Sequence, residues 1–272
     1  REAGVRNLER TITSVLRKCA RKIASGEAEN VSVTGTGLEK LLGPRMVKPE
    51  FLNRTNAIGI ANGLAWTSIG GETLPIEVQV IDNGSGKITV TGSLGDVMKE
   101  SAQLAITYAR VHAAEYGIDS ERLKKCDLHI HAPEGAVPKD GPSAGVTLTT
   151  ALISCLSGIP VRGDVAMTGE ITLHGNVLPI GGLREKSMAA YREGMKTVLI
   201  PKDNLSDLYE VDDEVKKNIE FLPMQSLSQV LAAALLKPKT VSAGHPRTKK
   251  VKPAGAAALP QTAEKPQPGA VC

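Results

Sequence analysis

One stretch of the chain, residues 138–145 with the sequence PKDGPSAG, joins a short alternating segment to an almost wholly apolar one. Before it, residues 128–131 alternate apolar and polar side chains, which predicts a half-buried strand. After it, residues 146–156 are nearly all apolar and end before Gly158 and Pro160, which predicts a buried helix with its stop signals. The stretch is therefore a tight strand-to-helix turn, and the chain must fold around the helix that it opens.

The residues of this turn suit the start of a helix. Asp140 is a natural N-cap, Pro142 suits the first helical position, and Ser143 follows inside the first turn. A hydroxyl there lies among unpaired backbone N–H groups at the positive end of a helix dipole. Such groups can stabilise the oxyanion that forms when a serine attacks a carbonyl carbon. From these residues alone Ser143 is either a cap or a nucleophile, and capping is the commoner role.

Strand and helix patterns alternate irregularly along the chain. Two β-hairpins are predicted, residues 74–81 with 87–91 around the turn signal DNGSG, and residues 165–173 with 177–180 around HGN. Further strands are predicted at residues 30–34, 59–69, 197–201 and 219–222, and helices at residues 8–23, 94–116, 182–193 and 227–236. Hairpins mixed with helices favour an α+β fold with mixed sheets over a regular βαβ repeat.

Four regions are predicted from these patterns. Residues 1–43 form a small helical unit without a core of its own, and residues 44–56 suit a linker because they carry two prolines and few periodic apolar positions. Residues 57–236 form the α+β domain. Residues 237–272 are dominated by Pro, Ala, Lys and Gly, cannot bury a core, and are predicted to be disordered.

The net charge of +4 belongs to the C-terminal tail. Residues 237–272 carry seven Lys/Arg and one Glu, or +6, which leaves 4 − 6 = −2 for the rest of the chain. Aromatic residues make up only 3% of the chain, which argues against a base-stacking surface. The four cysteines form no C-x-x-C pair, and the sequence contains no long apolar run, so we expect neither a metal site nor a membrane segment.

A serine nucleophile needs a base, and the sequence offers two kinds. His129 and His131 share one face of a predicted strand, but two such histidines are more often solvated or hydrogen-bonded, and no third metal ligand accompanies them. A lysine can serve only when neutral, which requires a pKa of roughly 7–8 and therefore an apolar site. Lys186 has Gly182, Leu183 and two alanines as its helical neighbours. It is either a candidate base or a lysine whose stem covers the core.

Three blocks decide between these alternatives. PKDGPSAG, then VAMTGEITLHGNVLPIGGLREKSMAA, then TVLIPKDN together resemble the proteolytic domain of the Lon protease family, which are ATP-dependent serine proteases with a Ser–Lys dyad. GLAWTSIGGETLPIE resembles the opening strands of that domain and TGSLGDVMKES its first long helix. REAGVRNLERTI resembles the end of the preceding AAA+ lid, so residues 1–43 are interpreted as a lid remnant. The resemblance covers residues 1–236 and departs from the family in the longer tail.

The resemblance implies a role for particular residues. Ser143 would be the nucleophile and Lys186 the general base that later protonates the leaving amine. Thr168 would orient the lysine, and Asp140 would be able to fold back on the dyad in an inactive conformation. Glu77 and His131 correspond to positions near the site, the second as a neighbour of the dyad and not as a catalyst.

The resemblance also implies partners and cofactors. The full-length protein would be a homo-hexamer that uses ATP and Mg²⁺ in a cis AAA+ module to unfold polypeptide substrates. Arg6 matches the family's sensor-2 arginine, but the sequence has no G-x-x-x-x-G-K-[ST] motif, so this chain is expected to be a fragment without the ATPase core, cofactor or metal. Similarity to the bacterial form favours the bacterial cytoplasm over the mitochondrial matrix, with no membrane association.

Two alternatives from other functional classes stay open. Without its ATPase module the chain would be an assembly module that holds a hexameric ring together and is largely inactive as a protease. The basic tail could also bind DNA through its charge. Solvated basic tails are common, which argues against DNA binding.

Overall fold

The computed structural model describes residues 4–44 and 55–236. The strands are β1 (Ile60–Thr67), β2 (Gly70–Ile81), β3 (Ile88–Thr91), β4 (Asp127–His131), β5 (Val165–Met167), β6 (Glu170–Ile171), β7 (Val177–Leu178), β8 (Thr197–Pro201) and β9 (Glu220–Met224). The helices are α1 (Arg6–Ala24), α2 (Leu38–Leu42), α3 (Asp96–Val111), α4 (Ser120–Lys124), α5 (Gly145–Ser157), α6 (Leu183–Arg192), α7 (Asp213–Asn218) and α8 (Leu227–Ala234). No helix in these described ranges is both long and apolar enough to cross a lipid bilayer.

Seven strands form one mixed sheet in the order β3-β4-β2-β1-β5-β8-β9. β2 pairs antiparallel with β1 and β4, whereas β3–β4 and the run β1-β5-β8-β9 are parallel. β6 and β7 form a separate two-stranded ribbon. The predicted α+β fold with mixed sheets and packed helices is therefore confirmed, and its C-terminal part adds parallel crossovers through α6 and α7.

The two faces of the sheet bury two separate hydrophobic clusters. α3, α5 and α8 pack on one face with Val165 and Met167 of β5. α6 and α7 pack on the other face with Ala166, the residue between those two. This division follows from the alternation of side chains along a strand. As predicted, α5 is the buried helix: its apolar side chains lie in the core, and Gly158 ends it in a left-handed conformation.

The first predicted hairpin is wrong. β3 pairs with β4 and not with β2, because β4 lies between them. Asp127, at the start of β4, accepts hydrogen bonds from the backbone N–H groups of Ser85 (2.7 Å) and Lys87 (2.8 Å). These bonds hold the pKa of the Asp127 carboxyl below its ordinary value and fix the loop against β4. A local turn signal could not reveal this contact, since its acceptor lies 40 residues further along the chain.

The second predicted hairpin forms only in part. β5 joins the main sheet, and the short strands β6 and β7 make the hairpin across residues 172–176. The remaining elements agree with prediction within a few residues, except that residues 30–34 form no strand and the predicted helix 94–116 ends at Val111, followed by the 3-10 helix Ala113–Tyr116.

The N-terminal helices make few buried contacts. Val15 of α1 and Leu41 of α2 are their buried residues, and the Lys18 ammonium donates to the Leu41 carbonyl. Four large apolar side chains of α1 are exposed, those of Leu8, Ile12, Leu16 and Ile23. This arrangement fits the prediction of a helical unit without its own core. Most of the predicted linker and the whole predicted tail lie outside the described residues, and the domain boundaries remain predictions.

Candidate active site

The candidate site lies where β5 ends and the two layers of the fold meet. β5 stops at Met167, and Thr168 follows it at the carboxyl end of the strand. The turn containing Ser143 comes from the α5 layer, and Lys186 comes from α6 in the opposite layer. Crevices of this kind, beyond the carboxyl ends of parallel strands where connections leave to opposite faces, are where α/β proteins bind ligands.

The serine turn is tied to the end of β5 by hydrogen bonds. Residues Pro142–Ala144 form a 3-10 helix, and α5 begins directly after it at Gly145. The Ser143 carbonyl accepts from the Gly169 N–H (2.9 Å) and from the Thr168 hydroxyl (3.4 Å). The Val146 N–H donates back to the Gly169 carbonyl at 3.2 Å. These hydrogen bonds hold the half-buried Ser143 beside Thr168.

Asp140 does not cap the helix that follows Ser143, so this prediction is wrong. Its carboxylate accepts from the Met98 N–H in the first turn of α3 (3.0 Å) and from the N–H of the adjacent Gly141 (2.9 Å). A Cβ at Gly95 would come within 2.3 Å of the Asp140 carboxyl carbon, so only glycine leaves room there. Asp140 therefore caps α3 and ties the serine turn to it, and its carboxylate makes no hydrogen bond to the dyad residues.

The helix N-terminus offers fewer free donors than the sequence suggested. The Gly145 N–H donates to the Pro142 carbonyl, and the Val146 N–H donates to the Gly169 carbonyl. Both donors are therefore engaged within the protein and are not available to a ligand oxygen.

Lys186 is the buried cation of the site. Its side chain is 3% exposed, and its ammonium donates to the Thr168 hydroxyl at 3.1 Å. Its helical neighbours Leu183, Ala189 and Ala190 are buried with it. No hydrogen bond joins Lys186 to the Ser143 side chain in the described structure, and Thr168 bridges the two residues instead.

Two glycines let α6 carry this lysine close to the sheet. A Cβ on Gly71 of β2 would lie 1.9 Å from the Glu185 carbonyl oxygen, so no larger residue fits between strand and helix. Gly182, which precedes α6, has φ +70° and packs against the Trp66 ring, where a Cβ would lie 2.9 Å from the nearest ring atom. Close approach of the helix is what buries the ammonium of Lys186.

Burial lowers the pKa of the Lys186 ammonium from 10.5 to about 8. Taking a charge out of water disfavours the charged form, and no other cause contributes to this shift. At pH 7 a pKa near 8 leaves about 10% of the amines neutral, compared with well under 0.1% for an ordinary lysine. The site therefore supplies a neutral amine near neutral pH, as a lysine base requires.

A cavity of about 780 Å³ opens over these residues. It is lined by Ser143, Lys186 and Asp140, by strand residues 64–67 and 72–75, by Met98, and by loop residues 133–134, 137–142 and 179–182. Its volume is typical of a site for a small molecule or a short peptide segment. Three of the predicted site residues, Ser143, Lys186 and Asp140, thus line one cavity. Thr168 is hydrogen-bonded to two of them, Ser143 and Lys186.

Glu77 and His131 lie elsewhere. They face each other across the β2–β4 pairing, and neither lines the cavity. The Thr91 hydroxyl lies 2.7 Å from Nδ1 of His131 and 2.9 Å from Nε2 of His129. The structure therefore gives no support to a role for Glu77 or His131 at the dyad, and His131 is one of the hydrogen-bonded strand histidines.

Several cavity residues were not singled out from the sequence. Lys139 donates to the carbonyls of Glu134 (2.7 Å) and Val137 (3.1 Å) and so holds the loop at the rim in place. Burial lowers the pKa of Lys139, against the opposing fields of Glu134 and Glu72. Trp66, the single tryptophan of the chain, is 60% exposed at the cavity. An exposed tryptophan on a strand was the signal from which this side of the cavity could have been predicted.

The described residues show no further ligand site of the predicted kinds. Arg6 is exposed at the start of α1. Within residues 4–44 and 55–236, no group of three or more His, Cys, Asp or Glu side chains is arranged to hold a metal ion.

Comparison with known proteins identifies the family. The family model of the Lon protease (S16) C-terminal proteolytic domain matches residues 32–237, and that of the Lon protease AAA+ ATPase lid domain matches residues 1–31. Proteins named Lon protease from Desulforamulus reducens, Brevibacillus choshinensis and Bacillus thuringiensis are 52%, 53% and 51% identical over 89%, 87% and 87% of this chain. The chain spans 30% of the length of each of these relatives. It belongs to the Lon protease (S16) family, as the predicted blocks around Ser143 and Lys186 indicated.

Proposed function

We propose that this chain is a serine endopeptidase in which Ser143 is the nucleophile and Lys186 is the general base. One observation carries the proposal: a buried lysine with a pKa of about 8 is linked through Thr168 to the serine turn inside one cavity. The S16 family match supports peptidase chemistry. An ion pair of Lys186 with a carboxylate would have raised its pKa, and no such partner contributes to it.

The reaction follows from the protonation state of the lysine. Neutral Lys186 takes the proton of the Ser143 hydroxyl as the oxygen attacks the peptide carbonyl carbon. The carbonyl oxygen becomes an oxyanion in this step. The Lys186 ammonium then gives its proton to the leaving amine as the C–N bond breaks, which leaves an acyl-enzyme ester on Ser143. Water, deprotonated by the neutral lysine, attacks that ester; the ester C–O bond breaks, the acid is released, and the Ser143 oxygen takes the proton back from Lys186.

Thr168 acts as a positioning residue in this scheme. Its hydroxyl accepts from Lys186 and donates to the Ser143 carbonyl, so one side chain fixes both partners. Because no hydrogen bond joins the Lys186 amine to the Ser143 hydroxyl in the described structure, a rotation of at least one of these side chains precedes proton transfer in this scheme. Such contacts commonly tighten only when substrate is bound.

The test compares Ser143→Ala and Lys186→Ala with the wild-type chain on an unstructured protein substrate. Both variants should lose cleavage by at least 1000-fold while their circular dichroism stays unchanged. Ser157→Ala, at the other end of α5, is the matched control and should stay active. If either dyad variant kept full activity, the assignment would be wrong.

The wider role proposed for the full-length protein rests on its relatives. Their name, Lon protease, and the AAA+ ATPase lid match support a protease with an ATPase module in cis. Degradation of unfolded polypeptides by a homo-hexamer in the bacterial cytoplasm is the further part of this proposal, and it comes from the family resemblance alone. This chain contains no G-x-x-x-x-G-K-[ST] motif, so its residues do not fit a nucleotide site, and ATP and Mg²⁺ would belong to the cis AAA+ module. Sizing the chain beside the cleavage assay tests the scaffold alternative: an inactive hexamer would favour it.

A further inference from the structure

Two of the described lysines line the cavity, and the protein holds their side chains differently. The Lys139 ammonium donates to three backbone carbonyls, those of Glu134 (2.7 Å), Val137 (3.1 Å) and Gly92 (3.5 Å). An ammonium carries three protons, so all three are used. These hydrogen bonds hold Lys139 in its protonated form, which has no lone pair for another partner.

Lys186, the second lysine, has a single hydrogen-bond partner. Its nitrogen donates to the Thr168 hydroxyl at 3.1 Å, and no other acceptor among the described residues contacts it. Burial alone lowers its pKa to about 8, without a contribution from any carboxylate. When Lys186 is neutral, one of its two protons keeps the bond to Thr168. The lone pair of the nitrogen is then available to a molecule in the cavity.

The surroundings of this amine suit a small apolar molecule. Lys186 is only 3% exposed, but it lines the cavity of about 780 Å³ and can be reached from there. The apolar side chains of Leu64, Met98 and Ile180 line the same cavity. A ligand with an apolar group and an electrophilic carbon therefore fits beside the nitrogen.

The chemistry of a buried neutral amine selects the electrophile. A neutral lysine adds to carbonyl carbons, and burial in an apolar pocket is one way in which proteins activate it. At pH 7 the neutral fraction of Lys186 is roughly 300-fold larger than that of a lysine with a pKa of 10.5. The imine that results is uncharged, and burying a neutral group costs less than burying an ammonium.

We propose that Lys186 is a modification site that forms an imine with small apolar aldehydes. The nitrogen lone pair attacks the carbonyl carbon and forms the C–N bond, and the carbonyl oxygen takes a proton from the nitrogen to give a carbinolamine. The C–O bond then breaks, the hydroxyl group leaves with the remaining N–H proton as water, and the C=N bond forms. The step consumes one amine and one aldehyde and needs no further reactant.

This inference goes beyond the proposed function, because it needs the amine of Lys186 and not the hydroxyl of Ser143. Its consequence for activity does rest on that function. The added group occupies the cavity at the nitrogen that is the proposed base, so the modified protein should not cleave peptides. Water hydrolyses the imine when the aldehyde is removed, so the block is reversible.

The first experiment treats the Ser143→Ala protein at pH 7 with butanal and sodium cyanoborohydride, which reduces an imine to a stable secondary amine. This variant lacks the hydroxyl that would add to the aldehyde as a hemiacetal. Peptide mapping by mass spectrometry gives the labelling rate of each lysine. We expect Lys186 to be labelled about 10-fold faster, or more, than Lys139 in the same cavity and the exposed Lys217 of α7. Equal or slower labelling of Lys186 would overturn the proposal.

Two controls test the cause of this preference. In urea that unfolds the chain, Lys186 should be labelled at the rate of Lys217, because its burial is lost. Glyceraldehyde is polar, so it should favour Lys186 over Lys217 less than butanal does, by about 3-fold or more. A preference that survives unfolding would contradict activation by burial, and equal preferences for the two aldehydes would contradict an apolar ligand class.

The two proposals can fail separately. Labelling of the Ser143→Ala protein needs no peptidase activity, so it decides whether Lys186 forms the imine even if the chain cleaves no peptide. The wild-type chain treated in the same way should lose cleavage in proportion to the labelled fraction of Lys186. Labelled protein that keeps full activity would refute Lys186 as the base, while its label would still support the modification site.

Discussion

Replacing Lys186 by methionine should stabilise the fold at neutral pH. Methionine has a similar length and no charge, so it fills the space between Leu183 and Ala190 without the cost of burying an ammonium. The hydrogen bond to Thr168 is lost in exchange. The buried charge outweighs that bond, because its pKa falls from 10.5 to about 8 on folding.

The magnitude follows from that shift. At about 1.36 kcal/mol per pKa unit, the lowered pKa of Lys186 destabilises the folded wild-type chain by about 3 kcal/mol at pH 7. The chain bears this cost whether the buried amine stays protonated or loses its proton. Between pH 8 and 10.5 the unfolded chain binds more protons than the folded one, so wild-type stability rises with pH through that window. By pH 10 the cost falls to about 1 kcal/mol. The advantage of the Lys186→Met variant should therefore shrink by about 2 kcal/mol from pH 7 to pH 10.

Urea unfolding at both pH values, followed by circular dichroism and Trp66 fluorescence, measures this difference. Titrations common to both proteins cancel, and so does any constant change in packing. Lys217→Met, at an exposed position on α7, is the matched control and should show no such pH dependence. A difference between Lys186→Met and wild type that is the same at pH 7 and pH 10 would refute a depressed lysine pKa in the folded chain.

Three further predictions concern activity. The kcat/KM for a peptide should rise with pH through about 8, since only the neutral lysine is a base, and a profile flat from pH 6 to 9 would contradict that role. Thr168→Val should lower kcat about 10- to 100-fold with little change in KM, because a hydrogen bond to a charged group is lost, whereas Thr150→Val, on α5, should not. Gly71→Ala should push α6 away from β2, cost about 1–3 kcal/mol in urea unfolding and reduce kcat; Gly35→Ala, with nothing within 4 Å, should do neither.

The predictions that held depended on local patterns. The apolar run after the serine turn predicted α5 because its length and stop signals are local properties. The small apolar neighbours of Lys186 left two interpretations open, a candidate base or a lysine whose stem covers the core, and the structure shows the lysine buried. The family blocks then named Ser143 and Lys186 together, and the structure places both in one cavity.

The predictions that failed depended on contacts distant in sequence. Asp140 is a residue type that often caps helices, but the N–H group that donates to it belongs to Met98, 42 residues earlier in another helix. The pairing of β3 was decided by Asp127, which the turn signal before β3 does not contain.

The placement of Ser143 and Lys186 in opposite layers has a consequence for the order of events in folding. Each residue is carried by a helix that packs in its own hydrophobic cluster, one on each face of the sheet. A chain with only one layer consolidated holds a serine without a base, or a lysine still in water with an ordinary pKa. Under the proposed dyad mechanism, peptidase activity therefore appears only when both layers have packed, and a half-folded copy cannot cleave other chains.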